Sequence, residues 1–355
     1  MTQANSVDTL TEFLTIGDTH YYIFDLGRLV QQIANTEFAL IEAGQQPYPT
    51  PLQQHAWLGI VFWHKNNAQS PYIWFAKFPL DERGLISHGA RQHYLQIIVE
   101  ALGRDITAPT SAEQDEILKQ NPYIFTPAED KRAAFHAKVS YLLEQPASIY
   151  FEDAEAFILG KSQPADWQQL GLQGLHDVAV RLNQQPKLAT AIHQHFDSWP
   201  APFQKVLCET LEQHPLPSSL QHNLTARLQQ QRGEAALPQH ISLLRALSSS
   251  VQSGSRITSE LQRAIRALLD TSCEPDLLVI LAARLWPLLE DDGIRTAYLN
   301  QLATQPDLFP HLFADLVALP ALRPHLLLLL HSPDQQSEAL QSAITAMKTR
   351  VQRNV

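Results

Sequence analysis

The stretch YIWFAKFPLDERGLI, residues 72–86, places three charged residues directly after a strongly apolar segment. Pro79 cannot donate a hydrogen bond to a neighbouring strand, so we expect a strand to end there and a turn to follow. Acidic and basic side chains at such a position are able to move protons or to stabilise charge, which makes Asp81, Glu82 and Arg83 candidates for a polar site. A turn that stays in water explains the same three residues.

Three further charged residues extend this candidate site. Side chains alternate between the two faces of a strand, so Lys77 lies on one face of its predicted strand and Asp25 on one face of an earlier predicted strand. Arg28 follows that earlier strand, in the sequence DLGR. Because burying one charge alone is costly, we expect Lys77 to meet Asp25 if the strands pair, and Arg28 to join Asp81 or Glu82. A structural ion network and a recognition or catalytic pocket at the sheet edge are the two alternatives.

The motifs of known catalytic chemistry are missing. The sequence has no phosphate-binding glycine loop, dinucleotide fingerprint, nucleophile elbow or zinc-protease motif, and its 13 glycines are scattered. His193 and His195 are two residues apart, a spacing that points them in different directions from a helix. We therefore predict no catalytic residue, no cofactor and no metal ligand, and an enzyme remains the less favoured alternative.

Charge balance limits the choice of partner. Acidic residues outnumber basic residues, 36 to 26, and the formal net charge is −10. Surfaces that follow nucleic acid or anionic membranes need an excess of lysine and arginine, so we expect neither as the main partner. Two small basic patches leave weak RNA or DNA binding as an alternative. Their residues are Arg256, Arg263, Arg266, Lys348, Arg350 and Arg353.

Several features indicate a cytoplasmic location. The opening MTQANSVDTLTEFL lacks the basic and apolar segments of a secretory signal. The leucine run in PHLLLLLHSP is far shorter than the roughly 18 to 20 residues of a membrane-spanning helix. Cys208 and Cys273 are the only cysteines, each within a helical pattern, and we expect two buried hydrophobic side chains rather than a disulfide or zinc site.

The first part of the chain has a strand-like hydrophobic pattern. EFLTIGDTHYYIFDLGR predicts a hairpin whose turn is Gly17-Asp18, and AWLGIVFWHKNNAQSPYIWFAKFP predicts two more strands. Both faces of these strands are largely apolar, so we expect helices to cover both. The prediction for residues 1–163 is an α+β domain with a small, aromatic-rich antiparallel sheet.

The rest of the chain has a helical pattern interrupted by prolines. Helix starts are predicted near Pro164, Pro200, Leu237, Glu274 and Asp307, at intervals of roughly 33 to 37 residues, which is the size of one helix pair in a helical repeat. Second helices are predicted at Pro186, Pro217, Arg256, Gly293 and Ala321. We therefore predict an all-α, HEAT-like (solenoid-like) repeat domain over residues 164–355, ended by a capping helix from Pro333 to Arg353.

Four segments carry a family resemblance. DLGR after a strand, AWLGIVFW, YIWFAKFPLDERGL and GLQGLHDVA together resemble a family of gamma-proteobacterial proteins catalogued only as a domain of unknown function. The resemblance covers nearly the whole chain and implies a bacterial cytoplasmic setting, but no functional residues.

The function expected from these observations is a non-enzymatic protein-interaction or adaptor module. Helical repeats present extended surfaces to other macromolecules, and a chain without catalytic motifs suits that use. We expect the partner to be another protein, and the sequence leaves the oligomeric state open. An enzyme with a polar site where the sheet meets the helices, built from Asp25, Arg28, Lys77, Asp81 or Glu82, is the alternative.

Overall fold

The computed structural model describes residues 8–66, 71–103, 111–230, 236–252, 259–271, 274–332, 334 and 336–353. They pack as two compact units, Met1–Phe135 and His136–Val355. The predicted domain boundary between residues 163 and 164 stays a prediction.

The first unit contains one antiparallel sheet with helices on it. Its strands are β1 (Thr19–Asp25), β2 (Gln31–Ile33), β3 (His55–His64) and β4 (Tyr72–Pro79), in the spatial order β2-β1-β3-β4. Its helices are α1 (Leu10–Ile16), α2 (Asn35–Glu42), α3 (His88–Leu102), α4 (Ala112–Lys119) and the start of α5 (Glu129–Leu142). The predicted α+β class and the two strands on either side of residues 65–71 are confirmed.

The predicted hairpin at Gly17-Asp18 is wrong, because the segment before it is α1. Thr9 caps this helix and forms a capping box with Glu12. The carboxylate of Glu42 at the end of α2 accepts hydrogen bonds from the backbone nitrogens of Leu10, at 2.8 Å, and Thr11, at 3.0 Å. These bonds satisfy the free N–H groups of the first turn, so a residue more than thirty positions away favours the helix.

Both faces of the sheet are covered, as expected. On one face, Ile23, Leu58 and Ile60 belong to a core that also contains side chains from α1, α2 and α3. On the other face, Phe24 packs edge-on against Phe135 of α5, with ring centroids 5.1 Å apart. Apolar burial on both sides explains why these strands lack an alternation of apolar and polar residues.

The second unit is entirely helical among its described residues. Its α-helices are α6 (Phe151–Ile158), α7 (Leu172–Val180), α8 (Pro186–His195), α9 (Ala201–Leu211), α10 (Ser218–Gln230), α11 (Leu237–Gln252), α12 (Ser259–Thr271), α13 (Pro275–Arg284), α14 (Asp292–Ala303), α15 (Phe309–Ala318), α16 (Arg323–Leu330) and α17 (Glu338–Arg353). Short 3₁₀ helices occupy Pro164–Gln169, Phe196–Ser198 and Trp286–Glu290.

Helix starts in this unit lie close to the predicted positions. Proline takes the first helical position of α8 and α13, where its missing N–H has no cost. The start predicted at Arg256 lies outside the described residues. The last helix begins at Glu338 rather than at Pro333, and Pro333 also lies outside the described residues.

Alternate helices of the second unit contact each other. α9 contacts α7 and α11, and α13 contacts α11 and α15. α10 contacts α8 and α12, and α14 contacts α12 and α17. A single apolar core joins the unit from Ala154 to Ile344. Among the helices that the structure describes, none has both the length and the apolar character that crossing a bilayer requires.

Replacing Gly59 by alanine tests the packing of α5 on the sheet. A Cβ at this position would lie 2.7 Å from the Leu26 Cδ1 atom and 2.7 Å from the Phe135 Cε2 atom. We expect Gly59→Ala to lower the free energy of unfolding by about 1 to 3 kcal/mol, because the ring has to shift. The measurement is urea denaturation.

Gly89→Ala is the matched control, because a Cβ at position 89 meets nothing within 4 Å. Alanine in the first turn of α3 is expected to raise the free energy of unfolding by about 0.5 to 1 kcal/mol. Equal effects of the two substitutions would contradict the packing described for Phe135.

Candidate functional site

Asp25 is the centre of a buried polar network at the end of β1. Its side chain is only 3% exposed. The carboxylate accepts hydrogen bonds from the Tyr48 hydroxyl at 2.6 Å, the Thr50 hydroxyl at 2.7 Å and the Gly27 backbone N–H at 2.8 Å. Burial raises the pKa of Asp25, and these three donors oppose that rise. The carboxylate therefore joins β1 to the loop that precedes β3.

Lys77 is not the partner of Asp25, so the predicted pair is wrong. β3 lies between the two strands, and the register puts Asp25 opposite Leu58 but Lys77 opposite Trp57, on the other face of the sheet. The Lys77 ammonium lies over the Trp57 ring, 5.3 Å from its centroid. A half-buried lysine is stabilised here by the aromatic ring and by its access to water.

Arg28 and Lys131 both donate hydrogen bonds to backbone carbonyl groups, Arg28 in the loop before β3 and Lys131 just after β1. Arg28 is 1% exposed and donates from its Nε atom to the Pro51 carbonyl at 3.1 Å, rather than to Asp81 or Glu82. Lys131 of α5 donates to the carbonyls of Leu26, at 2.7 Å, and Gly27. Lys131, Tyr48 and Thr50 are not predictable from the sequence, because no local pattern connects them to DLGR.

The charged cluster after β4 forms an exposed turn. Asp81, Glu82 and Arg83 are all exposed. The Asp81 carboxylate accepts hydrogen bonds from the backbone N–H groups of Arg83, at 2.9 Å, and Leu85, at 2.8 Å. Gly84 has a φ of +80°, a conformation that glycine adopts without strain. The water-exposed turn proposed from the sequence thus explains this cluster.

This turn borders a cleft within the first unit. The cleft has a volume of about 590 Å³ and lies between the end of α2, the Asp81 turn and the start of α3. Glu42, His88 and Arg91 line it together with Asp81. Of the six predicted site residues, the structure brings only Asp81 to this cleft.

Glu212 is the most heavily bonded carboxylate described in the second unit. It is fully buried just after α9 and accepts hydrogen bonds from Arg245 of α11 and from Arg284 of α13, the latter at 2.6 Å. Arg245 also pairs with Glu209. The two arginines stand 33 and 72 positions after Glu212, so one carboxylate ties together three helices in contact.

Two histidines form a second buried contact between helices. His176 of α7 and His214, just after α9, are both fully buried, and the His176 Nδ1 and His214 Nε2 atoms are 3.0 Å apart. Burial lowers the pKa of His176 to about 3 and lowers that of His214 well below its ordinary value. The nearby charge of Lys138, whose own pKa burial lowers to about 7, acts in the same direction. The histidines are therefore uncharged at neutral pH.

Two further groups of acidic residues lie at helix ends. Glu152 and Asp153 are in the first turn of α6, and Asp291 caps α14. Among the residues that the structure describes, no three histidine, cysteine, aspartate or glutamate side chains come together as a metal site. Cys208 is a buried free thiol, whereas Cys273 lies outside the described residues.

The basic patch proposed for nucleic acid is visible only in part. Arg263 and Arg266 are exposed on α12, and the Arg263 Nε atom donates to the Ser259 carbonyl at 3.2 Å. Arg256, the third residue of the patch, is outside the described residues.

Comparison with known proteins gives one match. Residues 5–348 match the sequence profile of DUF3549, described as a protein of unknown function. The chain belongs to the DUF3549 family. The resemblance to a family of unknown function, stated from the four sequence segments, is thereby confirmed. No curated protein and no solved structure matches this DUF3549 chain.

Separate substitutions of Asp25 and Lys77 distinguish the observed network from the predicted pair. Asp25→Ala leaves the donors on Tyr48, Thr50 and Gly27 buried without their acceptor, so we expect a loss of about 3 kcal/mol or more in the free energy of unfolding. Lys77→Met keeps the aliphatic packing and is expected to cost less than about 1 kcal/mol. Chemical denaturation measures both variants, and equal losses in the free energy of unfolding would favour the predicted pair of Asp25 and Lys77 instead.

Acidification tests the neutral histidine pair. As the pH falls, the unfolded state protonates His176 near pH 6.5, whereas the folded state resists protonation until about pH 3. The free energy of unfolding therefore decreases as the pH falls from about 6.5 towards 3. Each buried histidine contributes a slope of up to about 1.4 kcal/mol per pH unit to the free energy of unfolding. We expect the double variant His176→Gln, His214→Gln to lose this pH dependence.

The measurement for the histidine pair is denaturant unfolding between about pH 7 and pH 5. His193→Gln is the control, since His193 is exposed on α8. An unchanged slope in the double variant would show that the two buried histidines do not govern acid sensitivity.

Proposed function

We propose that this DUF3549 protein is a non-enzymatic protein-interaction module. In this proposal residues 164–355 form a HEAT-like, solenoid-like helical repeat, and α17 is its terminal cap. The chief support is the regular spacing of contacts between the helices of the second unit. A repeat presents a long surface of similar elements, which suits binding to another macromolecule.

Side-chain hydrogen bonds between helices of the second unit recur at a nearly constant distance along the chain. Asn183 donates to the Pro215 carbonyl 32 positions away, Gln252 to the Arg284 carbonyl 32 positions away, and Gln301 to the Leu269 carbonyl 32 positions away. Other such bonds span 29 to 38 positions. The 72 positions between Glu212 and Arg284 are about twice this interval. A spacing near 35 residues supports helix pairs as the repeating unit.

The contacts between alternate helices also support a repeat. One row contains α7, α9, α11, α13 and α15, and the other contains α8, α10, α12, α14 and α17. Each helix touches its neighbours within its row, as expected when similar pairs stack.

The exposure of α17 fits the role of a cap. Leu340 and Ile344 are buried and Met347 is half-buried on one side of the helix. Polar residues such as Gln341, Thr345 and Thr349 are exposed on the other side. Terminal repeats need a polar outer face of this kind to remain in water.

The surroundings of Asp25 and Lys77 favour a structural role over catalysis for these residues. The Asp25 carboxylate is surrounded by three donors, and Lys77 lies over the Trp57 ring. Side chains held in this way stabilise the fold and are poorly placed to exchange protons with a substrate. A protein partner in a bacterial cytoplasm completes the proposal, since the chain is acidic.

Crosslinking in the native cell tests the proposed function. A photoreactive amino acid is placed in the full chain at Val279 on α13 and at Thr296 on α14, both exposed in the second unit. We expect a discrete protein adduct from at least one of these positions. Ile16, 57% exposed in the first unit, is the control position and is expected to give none.

If the proposal is correct, the adduct forms only when the helices of the second unit are correctly packed. Glu212→Ala removes the carboxylate shared by Arg245 and Arg284 and is expected to abolish the adduct. Lys187→Met, which removes a more exposed pair with Glu155, is expected to retain it. No adduct at either position, or the same adduct at Ile16, would overturn the proposal.

A further inference from the structure

The cleft beside the Asp81 turn has features that the proposed interaction function does not use. Its walls are the end of α2 at Glu42 to Gly44, the residues around Asp81, and the first turn of α3. Its volume of about 590 Å³ is in the range of sites that hold small molecules. Arg91 lines the cleft as a buried cation, with 7% of its surface exposed.

One edge of the Arg91 guanidinium is held by a backbone carbonyl, and the other contains a buried N–H that has no acceptor among the described residues. Its Nη1 atom donates to the Glu42 carbonyl. The other edge carries Nε and Nη2, which together form a fork for two parallel hydrogen bonds to a planar anion. Within the described part of the chain the buried Nε–H has no acceptor, and Nη2 meets only the His88 Nδ1 atom, at 3.1 Å. A buried N–H without an acceptor is costly, so a ligand oxygen at this edge would be stabilising.

Other groups at this end of the cleft favour negative charge. The fork lies beside the start of α3, a helix of 15 residues whose first N–H groups and dipole attract anions. His88 stands in front of the fork, and its side chain is exposed, so the ring is able to turn aside as a ligand enters. The Glu42 carboxylate is already bonded to the backbone of Leu10 and Thr11 and is directed towards α1.

The Asp81 turn, which also lines the cleft, has the reverse preference. The Asp81 carboxylate uses Oδ1 for both of its backbone hydrogen bonds, and within the described residues Oδ2 accepts none. A second negative charge near this oxygen is disfavoured, whereas an ammonium or hydroxyl group would be stabilised. The two walls together select a ligand with one anionic end and one hydrogen-bond donor.

From this geometry we infer that the cleft binds a small carboxylate-bearing molecule, with its carboxylate on the Arg91 Nε–Nη2 fork and a donor group towards Asp81. A planar carboxylate matches the fork in a bidentate arrangement. A doubly charged phosphate is less suitable because of Asp81 and Glu42. This site is independent of the partner proposed for the helical unit.

Ligand-induced thermal stabilisation tests the inference on the full chain. The probes are glutamate, succinate and inorganic phosphate at millimolar concentration, compared with chloride at matched ionic strength. We expect glutamate to raise Tm the most, because it carries a carboxylate and an ammonium group, and phosphate to raise it the least.

Substitutions at position 89 provide a matched pair that preserves the fold. A Cβ there meets nothing within 4 Å, and both Gly89→Glu and Gly89→Gln favour the helix over glycine. The added charge in Gly89→Glu is expected to weaken glutamate binding by about fivefold or more relative to Gly89→Gln. Arg91→Lys keeps the charge but removes the fork, and we expect about a tenfold loss of affinity.

Arg83→Gln is the control for Arg91→Lys, since Arg83 is exposed on the same turn as Asp81. It is expected to retain glutamate binding. The inference is overturned if neither carboxylate raises Tm above chloride, if phosphate raises it more than both carboxylates do, or if Gly89→Glu binds glutamate as tightly as Gly89→Gln.

Discussion

Buried carboxylates are the constraint on which both units depend. A carboxylate removed from water needs several donors, and those donors have to come from wherever the chain can supply them. Asp25 takes them from a loop more than twenty positions away, Glu42 from the start of α1, and Glu212 from two other helices. Each of these acids therefore adds directional hydrogen bonds between segments that are distant in the sequence.

The second unit combines two ways of burying a polar group. Glu212 is paired with two arginines, which fixes the positions of three helices. His176 and His214 are instead uncharged and share a hydrogen bond, because burial and Lys138 disfavour protonation. Both arrangements connect α9 to neighbours in its own row. Directional polar bonds of this kind fix the register between helices that apolar contacts alone would allow to slide.

In the first unit, the Arg91 guanidinium has a buried Nε–H without an acceptor among the described residues. Most of the charged groups around the sheet have their partners in the protein, as the Asp25 network and the carbonyl contacts of Arg28 and Lys131 illustrate. Arg91 differs, since among the described residues the fork opposite its contact with Glu42 meets only an exposed histidine. The fold thus separates side chains that hold the sheet in place from a side chain that is placed for a ligand.

The sequence by itself determined the elements whose signals are local. Apolar runs predicted β3 and β4, prolines and hydrophobic period predicted most helix starts of the second unit, and Pro79 with Gly84 predicted the Asp81 turn. Tertiary structure alone decided the rest. α1 replaced a predicted strand because Glu42 bonds its first turn. Strand order put β3 between Asp25 and Lys77, and the pairing register placed their side chains on opposite faces of the sheet. The physical reason is that a buried charge is paired through space, whereas propensity and periodicity act only along the chain.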